Sequence, residues 1–163
     1  MEDDIRISWE RFLNPDVLRT NLIVASLYIT AFEMLKESII ERAKEFFSVG
    51  YNENGLIIDE KYKKEVLNLN KSPLYASIFW LKDMDAINDN DIEIFDKIRK
   101  CRNDITHEIA NFISKGAKTD PLPLFNSMID LLHKIEKWWI LNQCCPVNRL
   151  KKVRKLLESV RMG

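Results

Sequence analysis

The feature that most constrains the fold is a long stretch without a helix breaker, from Asp16 to Phe47. Asn14 and Pro15 come directly before it, and they suit an N-cap and the first helical position. Gly50 supplies a stop just beyond its end. The stretch therefore predicts one helix of about 30 residues, roughly 45 Å long if straight. Its first half is apolar nearly all round, so we expect this helix to be the scaffold of the core.

The remaining sequence predicts more helices and no convincing strand. Four glycines and five prolines in the whole chain disfavour a loop-rich or all-β fold. Leu56 to Ile58 is either a brief extended piece or an anchored loop, and a short helix is expected within residues 59–69. The other predicted helices are Asp3 to Leu13, a helix capped by Ser72-Pro73 and running to about Met84, Asp91 to Lys115, a helix that Thr119-Asp120-Pro121 starts and Cys145-Pro146 breaks, and Asn148 to Arg161.

These segments predict an all-α protein, an antiparallel four-helix-type bundle with additional short helices. Residues 1–163 are expected to form a single domain in which residues 147–163 are a basic C-terminal helix. The most apolar run, Leu22 to Leu35, contains Ser26, Thr30 and Glu33 and is too short to cross a bilayer, so we expect a buried core helix.

Composition is typical of a soluble globular protein, because 46% of the residues are hydrophobic and 31% are charged. The acidic start, Met1 to Asp4, has no apolar segment of the kind found in signal peptides. The three cysteines have neither zinc-site nor disulfide spacing and are interpreted as reduced thiols. We therefore expect a cytoplasmic protein without a cofactor, a metal or a membrane association.

The predicted helix from Asp91 to Lys115 has an unusual surface. Laid out at 100° per residue, it has an apolar stripe, one charged flank, and a second flank of mostly short polar side chains. The apolar stripe consists of Ile94, Ile98, Cys101, Ile105, Ile109 and Phe112. The second flank consists of Asp96, Arg99, Asn103, Thr106, His107, Ala110 and Ser114. A flank that is neither apolar nor densely charged suggests contact with something other than water, and Arg102 lies at its edge.

Arg102, the polar Asn103 directly after it, and His107 after three more residues resemble the signature of the HEPN superfamily. The resemblance implies a small helical domain that acts as a metal-independent endoribonuclease, with a site that straddles a dimer interface. Proteins of this kind serve as toxins or anti-phage defence effectors. Some of them carry, two residues after the histidine, a tyrosine that a partner enzyme modifies. Because Ile109 stands there in this chain, a binding antitoxin is the more plausible regulator.

The chemistry of RNA cleavage fits these residue types. The 2′-hydroxyl of a ribose already lies beside the phosphate that it attacks. Neutral histidine takes a proton from that hydroxyl, protonated histidine gives one to the leaving oxygen, and arginine donates to the phosphate oxygens. Arg102, His107 and Asn103 are therefore the candidate catalytic residues, and Arg99 and Thr106 are the candidate substrate-binding residues.

One histidine cannot be base and acid in the same step, so the sequence predicts a homodimer with the site at its interface. The flank with Asn103, Thr106, His107 and Ala110 is expected to form that contact. Two other interpretations stay open. His107 can be an ordinary exposed histidine, with Arg102 paired to one of the central aspartates. The whole protein can be a non-catalytic adaptor that binds a partner protein or nucleic acid through its basic C-terminal helix.

Overall fold

A computed structural model of the protein describes residues 2–115 and 120–143. These residues form seven α-helices, one 3-10 turn and a two-stranded sheet. The helices are α1 (Glu2–Leu13), α2 (Pro15–Phe46), α3 (Lys61–Glu65), α4 (Pro73–Asp83), α5 (Asp89–His107), α6 (Ile109–Lys115) and α7 (Pro121–Gln143). The predicted all-α class is confirmed at this level. The predicted helix from Asn148 to Arg161 lies outside the described residues.

The start of α2 follows the prediction closely. The side-chain oxygen of Asn14 accepts hydrogen bonds from the backbone amides of Asp16 at 3.0 Å and Val17 at 3.3 Å. This N-cap satisfies amides that have no partner inside the helix, and Pro15 occupies the first helical position. Ser72 is the N-cap residue of α4 and Pro73 its first residue, as predicted, but the Ser72 hydroxyl makes no capping hydrogen bond.

A short hairpin follows α2, where no convincing strand was expected. Strands β1 (Ser48–Asn52) and β2 (Gly55–Ile58) are antiparallel, and they are joined by a turn in which Gly55 has φ 109°. Glycine adopts such a left-handed conformation without steric cost. Of the two alternatives for Leu56 to Ile58, the extended one is therefore right.

The predicted helix from Asp91 to Lys115 is two helices in the structure. α5 ends at His107, the chain bends at Glu108, and α6 begins at Ile109. Residues 103–107 are Asn, Asp, Ile, Thr and His, all from the weaker half of the helix-propensity scale. The Thr106 hydroxyl also donates a hydrogen bond to the carbonyl of Arg102 at 2.8 Å, a bond of the type that bends helices.

By its contacts the chain divides into two compact units, and the prediction of a single domain stays a prediction. Among the described residues, unit 1 comprises residues 2–36, 89–115 and 120–131, and unit 2 comprises residues 37–88 and 132–143. In unit 1 the core is made by one face of α2 together with α5, α6 and the first part of α7. Its buried apolar residues are Ala25, Tyr28, Phe32, Leu35, Phe95, Ile98, Cys101, Ile105, Phe112, Met128 and Leu131.

Unit 2 combines an aromatic core with a polar cross-link. The Trp80 ring contacts Phe46, Phe47 and Trp138 at centroid distances of 5.0, 5.7 and 6.0 Å. Beside this core, Arg42 donates to both carboxylate oxygens of Glu136, at 2.8 Å for the shortest contact, and Ser38 donates to Glu136 at 2.6 Å. A charged pair anchored by several hydrogen bonds connects α2 to the second half of α7.

Candidate functional site

Arg102 is half-buried and held by several partners within unit 1. Its Nη2 donates a hydrogen bond to Glu33 Oε1 at 2.8 Å, and its Nη1 donates to the side-chain oxygen of Asn103 at 3.3 Å. Its guanidinium carbon lies 5.4 Å from the centre of the Phe32 ring, within cation–π range. Its buried Nε has no partner among the described residues. The side chain is thus oriented by α2, and its acidic partner is Glu33 rather than the central aspartate of the alternative interpretation.

The surface beneath Arg102 is rigid because it belongs to the core of unit 1. Phe32 is 4% exposed and stacks on Phe95 with ring centroids 6.0 Å apart. One turn earlier on α2, the Tyr28 hydroxyl donates to the backbone carbonyl of Ile98 at 3.3 Å. These contacts fix α5 against α2, so the guanidinium of Arg102 lies over a preorganised aromatic surface, formed by Phe32 on Phe95.

The carboxylate of Glu33 accepts hydrogen bonds from two cationic side chains at the edge of this aromatic surface. Its Oε1 accepts from Arg102, while its Oε2 accepts from Lys36 at 2.6 Å. The hydrogen bond from Lys36 and that from Arg102 hold the pKa of Glu33 below its ordinary value of 4.5, although partial burial acts in the opposite direction. Glu33 is therefore an anion at neutral pH and occupies one of the positions where Arg102 would hold a phosphate oxygen.

His107 is the last residue of α5 and its side chain is exposed. The imidazole has no hydrogen-bond partner within residues 2–115 and 120–143. At 100° per residue, His107 lies about 40° from Asn103 but about 140° from Arg102 around the helix. Within one chain, Asn103 and His107 thus share a side of α5, whereas Arg102 faces Glu33 on another side.

The two candidate substrate-binding residues differ in their surroundings. Thr106 is exposed, but its hydroxyl is already bonded to the Arg102 carbonyl. Arg99 is exposed, one turn before Asn103. Asn103 is half-buried and accepts the bond from Arg102, so its amide group lies between the guanidinium and the histidine side of the helix.

The buried thiol and phenol beneath the site are poor candidates for proton transfer. Burial raises the pKa of Cys101, a hydrogen bond with Tyr28 opposes this increase, and the negative charge of Asp104 adds a smaller increase. Burial raises the pKa of Tyr28 as well, and its hydrogen bond with Cys101 adds to this effect. Both groups are therefore neutral at physiological pH and poorly suited to proton transfer there.

Sequence reasoning missed Glu33 as part of the site. The available signal was its place as the only acidic residue in the apolar run from Leu22 to Leu35. An acid in such a run requires either solvent or a cationic partner. The identity of that partner depends on how α2 and α5 pack, which the sequence pattern does not contain.

Within the described ranges, no three His, Cys, Asp or Glu side chains cluster as metal ligands would. No helix there combines the length and apolarity needed to cross a membrane. Comparison with models of protein families, with curated proteins and with solved structures yielded no match to this chain.

Proposed function

We propose that the protein is a metal-independent endoribonuclease of the HEPN type that cleaves RNA by attack of the ribose 2′-hydroxyl. The observation that carries this proposal is Arg102, oriented by Glu33, Asn103 and the Phe32 ring, on the same helix as the exposed His107. A guanidinium held in place and a solvent-accessible imidazole are the groups that phosphodiester cleavage needs. The RNA substrate reaches both groups from solvent.

The role of Arg102 is to bind the phosphate and to stabilise the charge that develops on it. A guanidinium has five N–H donors, and the contacts described above use only two of them. A phosphate oxygen that takes over the Nη2 donor replaces the carboxylate of Glu33. Asn103, which already contacts Arg102, supports either the guanidinium or the phosphate.

The role of His107 is proton transfer, and it requires a second histidine. In one chain His107 is distant from Arg102 around α5, and a single imidazole cannot be base and acid in one step. A two-fold dimer supplies the second histidine and pairs the Arg102 of one chain with the His107 of the other. We propose that the flank with Asn103, Thr106 and Ala110 lines this shared cleft.

In the cell, the proposed enzyme acts in the cytoplasm as a toxin or anti-phage defence effector. Ile109 stands two residues after His107, where a modifiable tyrosine would be needed, and it is partly exposed. Isoleucine has no group that accepts a nucleotidyl unit. Control by a binding antitoxin protein is therefore the form of regulation that we propose.

The test is cleavage of RNA by the purified protein in EDTA, with the ends of the fragments identified. We expect fragments that end in 2′,3′-cyclic phosphate, and we expect His107→Ala to reduce the rate by about 100-fold or more. His133→Ala is the matched control, because His133 is the other histidine and is also exposed on a helix. Circular dichroism verifies that both variants are folded.

Cleavage by His107→Ala at the wild-type rate would contradict the role of the histidine. Absence of cleavage by the wild type, together with loss of RNA or protein binding on removal of residues 147–163, would favour the non-catalytic adaptor. In that case Arg102→Ala and His107→Ala would leave binding unchanged.

A further inference from the structure

The face of α2 that points away from the unit 1 core carries an exposed apolar stripe. Its three large members, Ile23, Leu27 and Met34, are 52%, 57% and 56% exposed. Thr20, which precedes Ile23, and Thr30, which lies between Leu27 and Met34, are exposed as well. This corrects the expectation that Leu22 to Leu35 is a buried helix, since only Ala25, Tyr28, Phe32 and Leu35 of that run are buried.

The stripe has the spacing of a helix–helix contact. Thr20, Ile23, Leu27, Thr30 and Met34 follow one another at alternating steps of three and four residues. This alternation places side chains in one seam along a helix and is the pattern by which two helices pack knobs into holes. In an ordinary amphipathic surface helix such a seam would be polar. The seam therefore indicates a second helix as its partner.

The order of residues along the stripe fits a second copy that runs in the opposite direction. In an antiparallel pair, Leu27 of each copy packs against Ile23 of the other. Ser26, which flanks the stripe, then lies close to its own copy beside the two-fold axis. Thr20 then packs against Thr30, so the apolar pair lies at the centre and the hydroxyl-bearing residues lie outside it. A surface that matches itself in this way is what a two-fold contact requires.

The charges beside the stripe support the same direction. Arg19 and Glu33 lie on one side of the stripe, each seven residues from Ser26. In the antiparallel arrangement, Arg19 of one copy faces Glu33 of the other, twice over. In a parallel arrangement these positions face Val24 and Ser38, which carry no charge. Arg19 is 74% exposed in its side chain, and within the described part of the chain its ion pair is a 4.0 Å contact with Asp16, so it can reach a second partner.

We propose that this chain associates with a second copy of itself through α2, antiparallel, with the stripe residues from Thr20 to Thr30 paired across a two-fold axis. The paired segment spans about 15 Å of helix. A stable interface needs about 1,000 Å² of buried surface in total, more than two helices of this length bury alone. The contact therefore extends sideways to Val24 and Leu122, the apolar rim of a pocket of about 540 Å³ beside the stripe.

The inference does not rest on the proposed nuclease activity. It is tested by the molar mass of the full chain in solution across a concentration series, by sedimentation. We expect Leu27→Asp to raise the dissociation constant of the assembly by about 30-fold or more. Ile129→Asp is the matched control, because Ile129 is 48% exposed on α7 of the same unit. We expect it to leave the assembly unchanged.

A crosslinking experiment tests the direction of the two helices. In a background with Cys144 and Cys145 replaced by Ser, Ser26→Cys places two thiols close together across the axis. Thr20→Cys places them about 15 Å apart in the antiparallel arrangement but close together in a parallel one. We expect a short thiol crosslinker to join Ser26→Cys subunits efficiently and Thr20→Cys subunits poorly.

The outcomes separate this inference from the proposed function. Two self-matching surfaces on one chain build an assembly larger than a dimer, so Leu27→Asp leaves a dimer if the flank with Asn103, Thr106, His107 and Ala110 also associates. If Leu27→Asp leaves a monomer, the stripe is supported and the contact through the α5 flank is contradicted. A wild type that stays monomeric, an assembly that Leu27→Asp does not weaken, or efficient crosslinking through Thr20→Cys would overturn the inference. RNA cleavage by His107→Ala is measured separately.

Discussion

Arg102 and Glu33 form an ion pair between α5 and α2, with Nη2 and Oε1 2.8 Å apart. The pair joins Arg102, which belongs to the sequence motif with Asn103 and His107, to Glu33, which does not. Both side chains keep some exposure, 27% for Arg102 and 41% for Glu33, so solvent and ligands reach the pair. Its strength is therefore modest, and an anionic ligand can displace the carboxylate.

The first prediction concerns Glu33→Gln. The amide keeps the size of the side chain but removes the charge that competes with a phosphate for Arg102. We expect the KM for RNA to fall by about two- to five-fold, the range set by an exposed ion pair. The measurement is steady-state cleavage at a protein concentration where the oligomeric state matches that of the wild type.

Glu41→Gln is the matched control for this prediction. Glu41 has a similar side-chain exposure of 43% and pairs with Lys44 in the same way that Glu33 pairs with Lys36. It belongs to unit 2. An equal change in KM for both variants would show that general charge, rather than the pairing with Arg102, controls RNA binding.

The second prediction is that Arg102→Lys folds but cleaves RNA poorly. A lysine ammonium is a point charge and cannot contact Glu33, Asn103 and a phosphate in the planar geometry of a guanidinium. We expect kcat/KM to fall by 10- to 100-fold, in line with about 1.4 to 2.8 kcal/mol of lost transition-state stabilisation. Arg6→Lys on α1 is the control, and a comparable loss there would contradict a specific role for Arg102.

The third prediction concerns the buried phenol of Tyr28. Tyr28→Phe removes the hydroxyl that donates to the Ile98 carbonyl and leaves the ring in place. We expect a loss of about 1 kcal/mol in the free energy of unfolding, seen as a Tm lower by about 2–4 °C. Tyr51→Phe, at a residue 77% exposed, should leave the Tm unchanged. A Tm for Tyr28→Phe equal to that of the wild type would mean that this bond adds no net stability.

The fourth prediction is a pH dependence of stability that arises at Glu136. Burial raises the pKa of Glu136, but the hydrogen bonds from Arg42 and Ser38 outweigh it and hold the pKa below the ordinary value of 4.5. A carboxyl with a lowered pKa in the folded state stabilises the protein above its unfolded-state pKa. That stabilisation is lost as the pH falls through the lower folded-state value.

Glu136→Gln should therefore be less stable than the wild type by roughly 1–3 kcal/mol at neutral pH. The difference should be constant above about pH 5 and should shrink as the pH falls below that. Denaturant unfolding at a series of pH values measures it. Glu53→Gln, at an exposed position of the hairpin turn, should follow the wild type at every pH. A difference that grows on acidification would contradict this assignment.

The long helix was predictable from sequence because its evidence is local. Asn14, Pro15 and the absence of a breaker until Gly50 fix its ends to within a residue or two. The buried position of Cys101 was predictable for the same reason, since it follows from a helical period. The bend at Glu108 was not predicted, because the polar side chains of residues 103–107 were interpreted as a contact surface. Their weak helix propensity was not considered.

The partners of the site residues were less predictable, because they depend on packing between distant segments. Arg102 and Glu33 are separated by 69 residues, and no periodicity reports which face of α2 meets α5. Because the first half of α2 is apolar on nearly every side, the sequence predicted that every side is buried. In the structure only one face of the helix is buried. Hydrophobicity alone does not distinguish a core face from a face that another chain covers.

Glu33 also has a consequence for how assembly and RNA binding affect each other. Its carboxylate neighbours both Arg102 and the stripe of α2, where Arg19 of a second copy is expected to approach. If that arginine shares the carboxylate, Arg102 becomes freer to hold a phosphate, and RNA binds the assembly more tightly than the single chain. Thermodynamic reciprocity then requires RNA to promote assembly by the same factor. The concentration of substrate would thereby set the oligomeric state of the protein.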